Sequence, residues 1–388
     1  MIRAFPSRGA ASVPPPAPLA MPNQDLRRHP GRSDDRPGLR TSLIRLFVFG
    51  GTAGLTAFGF DQMLAVFAAG EIGALQVVLL ALFTITFAWI GFAALAAIAG
   101  TALRRPPKAP DRPESSRTAL LMPLYNEDAA PSVAALQAMA EGLVAAGAGD
   151  RFEIFVISDT RDPDIWVRET AAIARLRAAL SGRMAVWYRR RPVNAGRKAG
   201  NVRDFVERWG ARYDHLLILD ADSVMEADTI LKLAGRMEAE PRLGILQTVP
   251  MLVGGSSLFG RLQQFAGRLY GPVIARGTAA WQGTDGNYWG HNAMIRTRAF
   301  AQACGLPDLP GRKPFGGHIL SHDFVEAALI RRAGWQVRMD PDLRGSFEGA
   351  PPSLIDSAAR DRRWAQGNLQ HVKVIGARGL RWPSRVHF

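Results

Sequence analysis

Two long apolar stretches near the N-terminus differ from the rest of the chain. The first, 46–69, is interrupted only by Asp61 and Gln62, and the second, 72–103, carries no charge. A helix of about 20 apolar residues crosses the hydrocarbon core of a bilayer, and each stretch is long enough. We therefore predict two membrane-spanning helices within 43–103. A helical hairpin buried in a soluble protein is the alternative.

Beyond Arg117, short apolar runs alternate with amphipathic segments. This alternation is typical of an open α/β sheet, in which ligands bind beyond the carboxyl ends of the strands. We assign the domain to 115–372. The predicted strands are Thr118–Leu124, Phe152–Ser158, Met184–Tyr188, His215–Leu219 and Leu243–Thr248, and the predicted helices include Val133–Ala145 and Ala227–Met237.

The segments that flank the apolar stretches are basic. The first forty residues hold eight prolines and seven arginines and few large apolar side chains, so we predict a disordered tail over 1–42. Cations flank both ends of the predicted hairpin, which predicts that both ends lie in the cytoplasm. These cations are Arg36, Arg40 and Arg45 before the first span, and Arg104, Arg105 and Lys108 after the second.

The net charge of +14 would suit nucleic acid, anionic lipid or a phosphorylated substrate. Its positive residues concentrate in the tail, beside the apolar stretches and around a candidate diphosphate site, so we expect a lipid bilayer and no nucleic acid among the partners. The single cysteine, Cys304, excludes an intrachain disulfide and any metal site built from several cysteines.

Polar residues follow the first two predicted strands. Tyr125, Asn126 and Glu127 come at the end of the first strand, where an open turn would let the backbone approach a nucleotide. Asp159 comes at the end of the second strand and would accept hydrogen bonds from a base or ribose. A helix cap is an equally good interpretation of Asp159.

The segment 194–201 places two glycines and two cations at the start of a predicted helix. Such a segment brings backbone N–H groups and positive charge toward a diphosphate. Lys198 and Asn201 are its candidate binding residues. The spacing does not fit a Walker loop, because Ala199 stands where that motif needs a hydroxyl.

The strongest motif is the acidic pair Asp220 and Asp222, which follows the apolar run 216–219. The alternation of strand side chains places both carboxylates on the same side. Two carboxylates so close repel each other unless a cation lies between them, and a divalent ion that bridges to a diphosphate would relieve this repulsion. We predict a site for Mg2+ (or Mn2+) on these two residues. A solvated acidic turn is the alternative.

Two later segments offer residues for the reaction itself. Asp323 opens an amphipathic helix, where it would act as a general base toward a sugar hydroxyl or would simply cap the helix. Arg360, Arg363 and Trp364 share one face of a later helix. The guanidinium groups would bind a departing diphosphate, and the indole would pack against the apolar face of a sugar ring. This basic run would also suit a membrane-surface anchor.

A further helix has the pattern of a segment that lies in the headgroup layer of a membrane. Its apolar residues recur at helical spacing, while Arg261, Arg268 and Arg276 occupy other faces. An ordinary core helix is the alternative. The apolar residues are Leu258, Leu262, Phe265, Leu269 and Val273.

The order of these motifs resembles that of the processive membrane glycosyltransferases, the family 2 enzymes that include cellulose, chitin and hyaluronan synthases. The resemblance is greatest to the subgroup that makes the backbone of osmoregulated periplasmic glucans. It extends to 283–292, 316–323 and 360–371. The chain departs from most of the family in having Ser-His-Asp at 321–323 in place of Thr-Glu-Asp, and Arg360 in place of Gln.

The resemblance implies a GT-A fold that follows two N-terminal transmembrane helices. In such a fold, Asp159 and the Lys198 segment would hold the uridine diphosphate, and Asp220 and Asp222 would position the metal and the donor. Asp323 would be the base, and Trp364 would lie beside the acceptor.

The implied function is transfer of glucose from UDP-glucose, with inversion, to a growing β-glucan. The implied location is the bacterial inner membrane, which the protein would cross several times, with the catalytic domain in the cytoplasm. A periplasmic glucan-processing protein is a further implied partner. A synthase of cellulose or of an N-acetylglucosamine polymer, and a catalytically inactive UDP-sugar-binding scaffold, are the alternatives. Since the family continues into further spans, we expect a fragment in which 373–388 begins a membrane-proximal segment.

Overall fold

A computed structural model describes residues 12–30, 37–102 and 112–388. Its N-terminal part is a helical hairpin formed by α1 (Leu39–Arg45), a π-helical turn (Leu46–Gly50), α2 (Gly51–Ala68) and α3 (Ala74–Thr101). Both arms are long and apolar enough to cross a membrane, and only 17% and 6% of their most apolar windows are buried. This exposure argues against a hairpin buried in a soluble protein.

The predicted orientation of the hairpin rests partly on residues outside the described part of the chain. Arg36, Arg104, Arg105 and Lys108 all lie there, as do residues 1–11 of the predicted tail. The orientation therefore stays a prediction.

An α/β domain follows the hairpin. Its elements in chain order are β1 (Thr118–Leu124), α4 (Ala129–Ala145), β2 (Phe152–Ser158), α5 (Pro163–Ala179), β3 (Ala185–Arg190), α6 (Arg197–Trp209), β4 (His215–Ile218), β5 (Val224–Met225), α7 (Ala227–Ala239), β6 (Leu243–Gln247), β7 (Met251–Val253), α8 (Leu258–Gln282), β8 (Ala293–Arg296), α9 (Thr297–Ala303), α10 (His322–Arg332), β9 (Gln336–Met339), β10 (Ser346–Gly349), α11 (Leu354–His371) and α12 (Trp382–His387).

The main sheet has seven strands in the order β3-β2-β1-β4-β8-β6-β9. Strands β3, β2, β1 and β4 run parallel, whereas β8 is antiparallel to both β4 and β6. The chain moves outward from β1 to β3 and then returns to β4 on the other side of β1. The crevice between the ends of β1 and β4 is therefore the point at which ligands bind such sheets. The predicted α/β sheet is confirmed.

The core consists of two apolar layers, one on each face of the sheet. Strand side chains alternate, so Leu120 and Met122 of β1 face one layer, and Ala119 and Leu121 face the other. Helices α4, α5 and α7 cover the first face, and α6, α9 and α10 cover the second. This packing fixes the strand ends from which the candidate site is built.

The prediction of a disordered tail is wrong for residues 12–30, which lie along the domain. The carbonyl of Ser12 accepts a hydrogen bond of 2.8 Å from the backbone N–H of Tyr188 in edge strand β3. Trp209 Nε1 donates to the carbonyl of Pro14 at 3.1 Å, and Met21 is buried. The segment has few apolar side chains of its own, but its backbone finds partners on the edge strand and on α6, which composition does not reveal.

Helix α8 has two different parts. Its first part exposes the predicted apolar face, with Leu262 57% and Phe265 64% exposed, so the alternative of an ordinary core helix is wrong there. Its second part packs against α3 of the hairpin. A Cβ atom at Gly277 would lie 2.5 Å from the carbonyl oxygen of Ala96, and one at Gly100 would lie 2.8 Å from the backbone N of Gly277. The two helices thus meet backbone to backbone.

We expect Gly277→Ala to lower the free energy of unfolding by about 1–3 kcal/mol, because the added methyl group has no room between α8 and α3. Gly271→Ala in the same helix is the matched control, since a Cβ atom there would have no neighbour within 4 Å. Its expected effect is neutral, or stabilising by up to about 1 kcal/mol through helix propensity. Denaturant unfolding in detergent micelles measures both variants. Equal effects of the two substitutions would contradict the close approach.

Candidate active site

Asp220 and Asp222 lie in the turn between β4 and β5, at the predicted edge of the sheet. The turn is held at both residues, since the backbone N–H of Asp220 donates to Ser223 Oγ at 2.9 Å and the N–H of Gly349 donates to Asp222 Oδ2 at 3.2 Å. Strand β10 therefore supplies a direct contact to the acidic pair. Asp222 remains exposed to solvent.

Lys198 is the second residue of α6, whose N-cap residue, Gly196, is in the left-handed region with φ of 69°. Its Nζ donates to Asp220 Oδ1 and, at 2.8 Å, to the carbonyl oxygen of Gly290. Burial alone would raise the pKa of the Asp220 carboxyl, but the ammonium of Lys198 and other nearby cations outweigh burial and lower it. The predicted diphosphate-binding cation is thus held against the acidic pair.

Asp323 lies beside the same group. A Cβ atom at Gly290 would lie 3.4 Å from Asp323 Oδ2, so this carboxylate is next to the residue whose carbonyl receives Lys198. In the described chain no side-chain hydrogen bond caps α10, which argues against the capping interpretation of Asp323. The sequence motifs around Lys198, Asp220 and Asp323 therefore come together at one place.

Glu127 is a further predicted carboxylate near the pair. Desolvation by the surrounding protein is the largest cause that raises the pKa of Glu127 to about 7. The negative charges of Asp220 and Asp222 act in the same direction, and a backbone hydrogen bond and Lys198 oppose them. Asp220 and Asp222 therefore disfavour a further negative charge at Glu127.

Sequence reasoning assigned no role to His291 and Glu348. The structure places His291 Nε2 3.1 Å from Glu348 Oε2. Burial raises the pKa of Glu348, with Asp222 and Asp220 acting in the same direction and His291 and Arg360 opposing. His291 belongs to the segment 283–292, which carried the family resemblance, but only the fold brings β10 to it.

Two predicted binding residues are held in the interior. Both carboxylate oxygens of Asp159 accept from Arg191, each at 2.7 Å, so Asp159 is neither a helix cap nor an open acceptor for a nucleotide. Asn201 is 1% exposed; its Oδ1 accepts from Arg189 at 2.6 Å and its Nδ2 donates to a backbone carbonyl. Arginines at the end of β3 thus engage these polar groups, and the sequence spacing gave no sign of this pairing.

The turn after β1 is shaped by Asn126, which has a positive φ of 55°. Its side-chain Oδ1 accepts from the backbone N–H groups of Arg161 and Asp162, at 2.9 and 3.2 Å. Asn126 therefore ties the end of β1 to the end of β2, which is a structural role. Its neighbour Tyr125 is exposed at the same edge.

Helix α11 carries the predicted Arg360, Arg363 and Trp364. The guanidinium of Arg360 lies 4.4 Å from the centroid of the Trp364 ring, and the indole is 55% exposed. Arg363 is also exposed. Near its end, α11 packs against the start of α10, where the ring of His371 is 3.0 Å from the carbonyl oxygen of Ser321. The exposed face of α11 therefore lies on the element that also contacts the Asp323 region.

The donor atoms suit a hard divalent ion better than zinc. Within 12–30, 37–102 and 112–388, no three His, Cys, Asp or Glu residues form a ready metal cage. Mg2+ and Mn2+ commonly use one or two carboxylates, with water and substrate phosphates completing the shell, and Asp220 and Asp222 fit this need. His318 lies beside Asp308 and His322 beside Glu326, and in the described chain no group of three such ligands includes either histidine.

Comparisons with known proteins first define the class. Residues 215–387 match the model of glycosyl transferase family group 2. A mannosyltransferase from Pyrobaculum calidifontis, solved in complex with GDP-Man and Mn2+, superposes with a TM-score of 0.53 at 16% identity, over 89% of this chain and 79% of that one. Residues 215–387 are thus similar to the glycosyltransferase domains of family group 2, and the fold is GT-A.

The similarity to particular proteins is greater. Over 98% of its length the chain is 49% identical to a protein of Vibrio cholerae and 51% identical to one of Xanthomonas campestris, both named glucans biosynthesis glucosyltransferase H. The resemblance that the motifs suggested is confirmed. The chain spans 54% and 60% of the length of these two relatives.

The pKa of Glu127 predicts a pH dependence of stability. In the unfolded chain this carboxyl has the ordinary pKa of 4.5, whereas in the folded protein it is about 7. The folded state therefore keeps a proton that the unfolded state has lost, and the free energy of unfolding falls as pH rises between these values. Glu127→Gln cannot ionise, so the variant should lose this part of the slope.

Urea unfolding at a series of pH values from about 4 to about 8, with a metal chelator present, measures this slope. Glu207→Gln, at an exposed position on α6, is the control and should keep the wild-type slope. Parallel curves for wild type and Glu127→Gln would show that Glu127 does not carry the proton.

Proposed function

We propose that this chain carries the catalytic domain of an inverting glucosyltransferase, which transfers glucose from UDP-glucose to a growing β-glucan of the osmoregulated periplasmic type. One observation carries the proposal: Lys198 contacts both Asp220 and Gly290, and Asp323 lies against Gly290, at the crevice between β1 and β4. The names of the similar proteins from Vibrio cholerae and Xanthomonas campestris support the glucan and the sugar.

The donor would bind with its diphosphate beside the acidic pair. Asp220 and Asp222 would hold Mg2+ or Mn2+, and such an ion, when bound, neutralises charge on the departing diphosphate. The solved mannosyltransferase of the same fold contained GDP-Man and Mn2+, which supports a divalent ion with a sugar nucleotide. The ammonium group of Lys198, which donates to Asp220, would then also bind the phosphates.

The uridine end of the donor would lie toward the ends of β1 and β2. Tyr125 is exposed there, and Asn126 fixes the turn that presents it. Asp159 and Asn201 would act indirectly, since their arginine partners hold them behind the surface. Arg191 also donates to the carbonyl of Gly200 at 2.9 Å, so the Asp159–Arg191 pair braces the helix turn that carries Lys198.

Asp323 would be the general base. It would remove the proton from the terminal hydroxyl of the glucan while that oxygen attacks the anomeric carbon of glucose from the face opposite the diphosphate. The new glycosidic bond forms as the bond to the diphosphate breaks, so the configuration inverts. Lys198, Arg360 and Arg363 would stabilise the negative charge of the leaving UDP.

The acceptor would approach along α11. Trp364 exposes an indole face, which suits the apolar face of a glucose ring, and Arg360 stacks on that indole. The acceptor is therefore proposed to pass Trp364 before its hydroxyl reaches Asp323.

The proposed location is the bacterial inner membrane, with the hairpin crossing the bilayer and the α/β domain in the cytoplasm. The exposed apolar face of α8 would lie in the headgroup layer next to the hairpin that it contacts. A periplasmic glucan-processing protein is the proposed recipient of the product.

We expect Asp323→Asn to lower glucosyl transfer by about 10²- to 10⁴-fold, the usual contribution of a positioned base. Binding of UDP-glucose should change by less than about twofold, because the variant keeps the shape of the side chain. Incorporation of labelled glucose from UDP-glucose by the chain in lipid membranes measures transfer, and calorimetry measures binding. Asp228→Asn, at an exposed position on α7, is the control. Near-normal transfer by Asp323→Asn would contradict the assignment.

The choice of donor and the presence of turnover are tested in the same membranes. Unlabelled UDP-glucose should compete with the labelled donor about tenfold better than UDP-N-acetylglucosamine, since an extra acetamido group needs a pocket of its own. Stronger competition by UDP-N-acetylglucosamine would favour the synthase of an N-acetylglucosamine polymer. Binding of UDP-glucose without formation of any glucan would favour the inactive scaffold.

A further inference from the structure

A buried carboxylate outside the candidate active site joins three distant segments of the chain. Asp285 follows α8, and its side chain is 0% exposed. Arg45 Nη2 lies 2.9 Å from its Oδ2, and Arg381 Nε lies 2.7 Å from its Oδ1. Arg331 donates to Oδ1 from Nε at 2.7 Å and also from Nη2. We call this group the Asp285 cluster.

The cluster holds three guanidinium groups against one carboxylate in the interior. Burial would raise the pKa of Asp285, but Arg331, Arg45 and Arg381 together lower it. Arg45 also donates to the carbonyl oxygens of Trp281 and Gln282 at the end of α8, each at 2.8 Å. Carbonyls at a helix C-terminus carry partial negative charge, so they help to offset the excess of cations.

Each arginine comes from a different part of the protein. Arg45 is the last residue of α1, at the base of the membrane hairpin, and Arg381 precedes α12. Arg331 lies on α10, the helix that begins at His322 and carries Asp323 in its first turn. One carboxylate thus connects the hairpin, the C-terminal segment and the helix of the proposed base.

Asp285 is also close in sequence to the other half of the site. It lies five residues before Gly290, whose carbonyl receives Lys198 and whose Cα faces Asp323. The N–H of Gly286 donates to the carbonyl of Val337 at 2.7 Å, which anchors the segment on β9. A shift of Asp285 would therefore also shift Gly290, because only the short segment 286–289 separates them. It would shift Asp323 as well, because Arg331, which contacts Asp285, lies on the same helix as Asp323.

We propose that Asp285 is a positioning residue that aligns Gly290 and Asp323 with the Lys198–Asp220 pair only while Arg45 of the hairpin is seated beside it. The hairpin then has a role in transfer besides anchoring the domain, because its packing against α8 places Arg45 beside Asp285. The kinetic part of this inference rests on the proposed function, whereas the structural coupling does not.

The chain offers a matched control in a second buried carboxylate. Glu153 on β2 accepts from Arg212 Nη2 at 2.8 Å, Trp187 Nε1 at 2.7 Å and the hydroxyl of Tyr213 at 2.8 Å. It resembles Asp285 in being buried and held by several donors, but its partners, which also include Arg117, all belong to the α/β domain. Loss of Glu153 should destabilise the domain without affecting the coupling between the hairpin and the site.

Hydrogen–deuterium exchange tests the coupling without requiring any activity. The variants are Arg45→Met, Asp285→Asn and Glu153→Gln, each in the 388-residue chain in lipid nanodiscs. Arg45→Met is the decisive variant, because Asp285 keeps Arg331 and Arg381 and no buried carboxylate is left unpaired. We expect it to speed exchange about tenfold in the peptides that cover 286–292 and the start of α10. Glu153→Gln should leave those peptides within about twofold of wild type.

Unchanged exchange at 286–292 and α10 in Arg45→Met would overturn the proposal, even if Asp285→Asn failed to fold. Equal increases in the exchange rate of these peptides in Arg45→Met and Glu153→Gln would overturn it too. They would mean that the loss of either buried ion pair destabilises the whole domain. These outcomes do not depend on whether the chain transfers glucose.

Kinetics provide the second readout. In Arg45→Met we expect kcat for glucosyl transfer to fall about tenfold, while the Kd for UDP-glucose, measured by calorimetry, stays within about twofold. Arg45→Lys should recover part of the loss, because it restores the charge but not the planar fork. Equal losses of binding and of transfer would contradict a positioning role. Absence of transfer in the wild-type chain would count against the proposed function and leave the exchange result to decide the coupling.

Discussion

Repulsion among carboxylates at one edge of the sheet is the constraint on which the site depends. Glu127, Asp220, Asp222 and Glu348 all lie around the ends of β1, β4 and β10, and Lys198 bonds directly to one of them. Burial raises the pKa values of Glu127 and Glu348, and the charges of Asp220 and Asp222 act in the same direction. A sugar nucleotide would add still more, so its diphosphate and a divalent cation are expected to bind together.

The surrounding fold holds this unfavourable edge in place with buried pairs of opposite charge. Arg191 forms an ion pair with Asp159 behind the first turn of α6, which carries Lys198. The Asp285 cluster holds the start of the segment that leads to Gly290. The backbone contact of Gly277 with α3 seats the hairpin on the same region. The sheet, α10 and the N-terminal hairpin therefore all help to hold the carboxylate edge in place, which is what a preorganised site requires.

The strands could be predicted where burial was continuous, as in β1 and β2, whose bounds the apolar runs matched. Strand β8 was not predicted, because its apolar run is only three residues long, whereas β4 leads into the four apolar residues 216–219. Asp220 and Asp323 were predictable because their position followed directly from a strand end and a helix start. The pairing of Asn201 with Arg189, and that of His291 with Glu348, depends on which elements the fold brings together. Local spacing carries no information on such contacts.

The most direct test of the central claim is the affinity of the chain for UDP-glucose with and without a divalent ion. Calorimetry in the presence of Mn2+ should show binding at least about tenfold tighter than in excess chelator, because the cation removes the repulsion between the diphosphate and the acidic pair. Asp222→Asn should reduce this gain. Equal affinity with and without Mn2+ would contradict the account, since the carboxylates would then need no cation to accept the nucleotide.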